Sequence, residues 1–116
     1  MANSQTVRYE QPVATRADLA AALLAGDDEA TSSALVGVIL HDPDWSWSQD
    51  RCLELLTHSS LTVRRAAVIC LGHVSRIHGQ IDMEKVVPAL SDLRATEVDL
   101  AGSVEDALVD IRMFGA

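Results

Sequence analysis

Four histidines, two cysteines and a large set of carboxylates are the residues of this chain whose types could do chemistry. His41 precedes Asp42 and Asp44, while His73 and His78 stand five apart. A zinc protease needs two histidines one helical turn apart with a glutamate between them, and a structural zinc site needs paired Cys or His ligands. Neither spacing occurs. Cys52 and Cys70 each sit among apolar neighbours at helical spacing, which suits small, buried, reduced thiols rather than a disulfide or metal ligands. The serines fall in turns and caps without a nucleophile elbow, and the glycines form no phosphate loop. With no nucleophile, base and oxyanion hole in sight, the expectation is a protein that is not an enzyme, with no cofactor and no metal. His41 and His78 instead suit charge interactions at helix C-termini, and His73 a half-buried, hydrogen-bonded imidazole.

Binding chemistry is better represented. The stretch from Asp42 to Leu56 holds both tryptophans of the chain, two positions apart. On a helix turning about 100° per residue and starting near Asp44, Trp45 shares a face with Cys52 and Leu56, whereas Trp47 falls with Asp50, Arg51 and Glu54. That phase makes Trp45 a core side chain. It makes Trp47, together with Asp44, Asp50 and Glu54, a candidate interface anchor on a charged face. Ser46 with Gln49 also fits a capping box, which would move the helix start. Near the C-terminus, Asp99, Asp106 and Asp110 line up opposite the apolar stripe Val104, Leu108 and Ile111, with Glu105 beside them. Such a ridge is either a solvated outer face or a docking stripe for Lys and Arg. A mixed face of Arg65, Ile69, Gly72 and Arg76 suits a partner or an adjoining helix.

The elements that must position these residues are helical throughout. With 116 residues and 48% hydrophobic content, the chain has enough for one core. Residues 1–15 are polar and show no sustained period, which reads as a flexible arm; residues 16–116 read as one domain. The all-α expectation is six helices. The first centres on Leu19, Leu23 and Leu24 and stops at Gly26, the second on Ala30 to Val38, and the third runs from about Trp45 to Thr57. The fourth spans about Leu61 to His78 with Gly79 as its stop, the fifth about Asp82 to Leu93 with Pro88 inside, and the sixth follows Val98, Ala101, Val104, Leu108 and Ile111. A shift of 32 residues matches Ala34 with Ala66, Leu35 with Ala67 and Val38 with Cys70. A shift of 35 matches Val63 with Val98 and Ala66 with Ala101. The repeat unit is therefore a helical hairpin, used about three times and stacked to share a core.

Leu53 to Val74, "LELLTHSSLTVRRAAVICLGHV", resembles the HEAT repeat: a leucine-rich first helix, a short turn, then Val-Arg, Ala-Ala and Leu-Gly, filled here by Val63-Arg64, Ala66-Ala67 and Leu71-Gly72. The third hairpin has Val98-Asp99 in place of Val-Arg, and the first lacks the dipeptide. The resemblance covers about a fifth of the chain and implies a short α-solenoid whose role is binding rather than catalysis.

Nine Lys+Arg against seventeen Asp+Glu give a formal charge of -8, so phosphate backbones and anionic membranes are repelled and a basic protein attracted. The opening residues lack the apolar run of a signal peptide, and no stretch approaches the roughly 18 apolar residues of a membrane span, so the expected setting is the cytoplasm. The function expected is a protein-binding module, similar to small bacterial HEAT-like proteins: an immunity protein that neutralises a basic, nuclease-type toxin domain by occlusion. The alternative is a HEAT-like scaffold or regulatory subunit. A HEAT-like lyase acting on bases fits poorly with the acidic balance.

Overall fold

The computed structural model describes residues 13–115. Most of the expected arm, residues 1–12, lies outside the described residues. Its last part belongs to the domain: Ala14 packs against the core, and Thr15 opens the first helix.

Six α-helices form among the described residues: α1 (Arg16–Ala25), α2 (Asp28–His41), α3 (Trp45–Leu55), α4 (Leu61–His78), α5 (Met83–Thr96) and α6 (Ala101–Phe114). No strand interrupts them. The starts of α1 to α5 share one device. Thr15, Asp27, Asp44, Ser60 and Asp82 each turn a side-chain oxygen back to a first-turn amide, satisfying donors that the helix itself leaves unpaired. Gly26 and Gly79 end α1 and α4 with φ of 70° and 63°, a left-handed conformation that a side chain would strain. Pro88 lies within α5 and is exposed; it removes one amide from the ladder on the side where water can serve the freed carbonyl.

The helices pair as three antiparallel hairpins, α1–α2, α3–α4 and α5–α6. Their second helices, α2, α4 and α6, lie side by side in one layer with α4 in the middle. Each hairpin is too thin to bury both faces, so the shared core forms where this layer meets the first helices. Leu35, Val38, Ile39, Val63, Ala67, Cys70, Leu71, Val74, Leu100, Val104, Leu108 and Ile111 are almost wholly buried there. The molecule extends 50 × 30 × 23 Å.

Burial fixes the repeat register. Thr31, Leu35, Val38 and Ile39 correspond to Val63, Ala67, Cys70 and Leu71, the expected shift of 32. The shift of 35 is corrected to 37, which pairs Val63, Ala67, Cys70, Leu71 and Val74 with Leu100, Val104, Ala107, Leu108 and Ile111. Val98, matched from sequence with the buried Val63, is 84% exposed. It sits in a single 3-10 turn, Val98–Leu100, ahead of α6, so Leu100 rather than Val98 enters the core.

Polar links tie the second hairpin to the third. The Gln49 carbonyl accepts from the Asp82 amide at 2.6 Å, Arg64 pairs with Glu97 at 3.3 Å, and Arg65 donates to the Asp99 carbonyl at 3.4 Å. Gln49 is 3% exposed and takes no part in a capping box with Ser46, because Asp44 caps α3. Gln49→Ala would leave the Asp82 amide short of an acceptor and is expected to lower the unfolding free energy by about 1–2 kcal/mol, checked by urea titration.

Candidate protein-binding surface

The ten expected site residues separate into distinct places. Asp44 caps α3, and Trp47, Asp50 and Glu54 stand on it, in the layer of first helices. Arg76, Asp106 and Asp110 line a groove between α4 and α6 with Ile69, Ser103 and Ala107. No α3 residue lines that groove, so the structure does not join Trp47 to the acidic ridge in a single pocket. Arg65 and Asp99 meet at the turn before α6, and Glu105 faces α5, where it pairs with Arg94 at 2.6 Å.

The tryptophans differ from the opposed pair expected. Both are half-buried and packed against the core, while the deepest positions of α3 are Ser48 and Cys52. Trp47 is covered by cations: the Arg16 guanidinium lies 4.2 Å from its ring centroid and that of Arg51 at 5.7 Å. Arg16 also forms a two-pronged ion pair with Asp42, at 2.8 and 3.0 Å, and approaches Asp44 at 3.6 Å. This cluster joins the start of α1 to the turn between α2 and α3. The Arg16 hydrogen bond is the main reason that the Asp42 carboxyl titrates below its usual range, against an opposing effect of burial. Sequence could not reveal the cluster, because Arg16 and Asp42 are 26 residues apart.

The mixed face on α4 is also resolved into its parts. Gly72 meets the adjoining helix: a Cβ there would stand 3.1 Å from an Asp110 carboxylate oxygen and 3.4 Å from the Ala107 Cα. Arg76 crosses the same contact to Asp110 at 3.3 Å, whereas Ile69 remains 42% exposed at the groove.

No protein-family model, curated protein or solved structure matches this chain. The surface is therefore read from its own chemistry. Among the described residues no three His, Cys, Asp or Glu side chains gather as metal ligands would, and no helix is long and apolar enough to cross a membrane.

His73 sits half-buried beside the groove, where Arg76 donates a hydrogen bond to its Nδ1. Burial first, then the Arg76 charge, holds its pKa below the ordinary value, with Asp110 opposing. A histidine depressed in the folded state loses stability for the fold as pH falls below the unfolded value near 6.5. Asp42 acts in the same direction below about pH 4. The melting temperature is therefore expected to fall from pH 7.5 to 5.5, and the fall to shrink in His73→Gln, as scanning calorimetry would detect.

Proposed function

We propose that this chain is a HEAT-like protein-binding module, specifically a cytoplasmic immunity protein that neutralises a basic, nuclease-type toxin by one-to-one binding and active-site occlusion. One observation carries the basic-partner reading. Arg16, Arg51, Arg64, Arg76 and Arg94 each pair with a carboxylate inside the fold, so five of the eight Lys and Arg among the described residues are already committed. Asp28, Glu29, Asp50, Glu84, Asp92, Asp99 and Asp106 remain exposed with no ion pair among the described residues. These carboxylates would stand where the toxin otherwise holds phosphate, supplying charge-assisted hydrogen bonds to its Lys and Arg side chains.

The HEAT-like reading is supported by the hairpin stack, by the buried Val63, Ala66, Ala67, Leu71 and Gly72 of the motif, and by inter-hairpin polar links spaced 33 or 34 residues apart. The immunity role extends the resemblance noted in the sequence. The decisive experiment is affinity capture from the source organism followed by calorimetry and a nuclease assay. The reading requires one basic nuclease domain, bound one to one and inactivated. A complex that leaves the nuclease active would reject it.

A salt series measures the electrostatic part. Raising ionic strength from about 0.05 to 0.5 M is expected to slow association by tenfold or more, with a smaller change in dissociation. A salt-insensitive association rate would remove charge steering from the mechanism. The separation between the α3 face and the α4–α6 groove also favours a second reading, a scaffold holding two proteins. That reading predicts a ternary complex without inhibition.

A further inference from the structure

A broad concavity among the described residues lies away from every site residue expected from sequence. It is an open groove of about 750 Å³ between α1 and α2, floored by Ala22, Ala34 and Gly37 and edged by Val13, Ala14 and Leu40. Gly37 makes room for Ala14: a Cβ on residue 37 would stand 2.8 Å from the Ala14 Cβ. Val13 and Leu40 are 59% and 45% exposed, so apolar surface remains uncovered along the edges.

The surrounding charge is one-sided. Asp18 lines the groove itself, and Asp27, Asp28 and Glu29 are exposed at the start of α2. Between residues 16 and 44 the sequence has one arginine, Arg16, against six carboxylates. Arg16 is already paired with Asp42. An apolar floor with Asp18 on its lining and further carboxylates at the adjoining start of α2 matches a segment whose one face is apolar and whose flanks are cationic, and small floor residues let its backbone approach closely. A second copy of the chain would bring another net charge of -8 toward the same carboxylates, which disfavours self-association there.

We propose that the α1–α2 groove is a docking site for a basic amphipathic segment of a partner protein, seated with its apolar face on Ala34 and Leu40 and its Lys or Arg side chains toward Asp18, Asp28 and Glu29. This surface does not depend on the toxin reading, since a scaffold would use it equally.

The test uses the full chain and three fluorescein-labelled 14-residue peptides: an amphipathic Leu/Lys helix, a scrambled Leu/Lys peptide of the same charge, and an amphipathic Leu/Glu helix. Fluorescence anisotropy should show the first binding at least tenfold more tightly than either of the others. Ser33→Arg places a long cationic side chain at an exposed position lining the groove and should weaken that binding at least tenfold, with the melting temperature unchanged. Asp28→Asn with Glu29→Gln should weaken it by a smaller factor. Equal binding of the scrambled peptide would reduce the effect to bulk charge and overturn the proposal. Indifference to Ser33→Arg would overturn it also. A concentration-dependent dimer abolished by Ser33→Arg would give the groove to a second copy. Tenfold tighter peptide binding on Tyr9→Ser would give it to residues 1–12 of the chain itself. Either result would replace the partner segment as occupant. Failure of these peptides leaves nuclease inhibition untouched, so the two proposals fall separately.

Discussion

Leu71→Ala is expected to lower the free energy of unfolding by about 3 kcal/mol. Leu71 has no exposed surface, and it lies on the one helix that packs against α2, α3 and α6 together. Truncation removes favourable burial and leaves a cavity that three surrounding elements cannot readily collapse to fill. Leu24→Ala is the matched control, because Leu24 is 91% exposed and its loss should fall within about 0.5 kcal/mol of zero. Urea denaturation of both variants gives the comparison. Equal, small effects would mean that the α2–α4–α6 layer is not the centre of stability.

Trp47→Ala carries the second large effect, about 2 kcal/mol, and the effect falls on folding. A half-buried indole contributes less than a fully buried one, but this ring also lies against two guanidinium groups, which adds a cation–π contribution. Without it Arg16 loses the surface that orients its ion pair with Asp42, and the start of α1 loosens from α3. A double-mutant cycle with Arg16→Ala isolates that coupling, expected at about 0.5–1 kcal/mol. Unchanged stability with a comparable loss of partner affinity would restore Trp47 as an interface anchor, as the helix phase alone suggested.

The contrast between these residues explains what was legible in the sequence. The bounds expected for α4, Leu61 to His78, agree with those found, because a long apolar period, a Ser60 cap and a Gly79 stop all act locally. The last helix starts later than the spacing predicts, because Val98 continues the period but sits in a 3-10 turn, where packing chooses Leu100 instead. Propensity cannot decide between two apolar residues two positions apart. Helix angle alone gives Trp45 and Trp47 opposite environments, yet two bulky rings on nearly opposite sides of a helix can both lean back onto the core.

For the candidate surface, composition disclosed an acidic protein but not which carboxylates are engaged. Asp110 and Glu105 look equivalent to Asp106 in sequence. Packing assigns Arg76 to Asp110 and Arg94 to Glu105, leaving Asp106 exposed in the groove. The α1–α2 groove has no signal in the sequence, because alanine and glycine in a helical run read as ordinary helix composition. Their shared lack of bulk becomes informative only once Ala14 is seen lying on Gly37.

The stacking order has a consequence for how the molecule comes into being. Every substantial helix packing joins elements of one hairpin or of neighbouring hairpins, and the polar ties between the second and third hairpins reach 33 or 34 residues. Loop closure over such spans is entropically mild, and topologies dominated by near neighbours fold quickly. A chain leaving the ribosome can therefore settle each hairpin onto the last before the next is made, so its apolar layer need never wait, uncovered, for the end of synthesis.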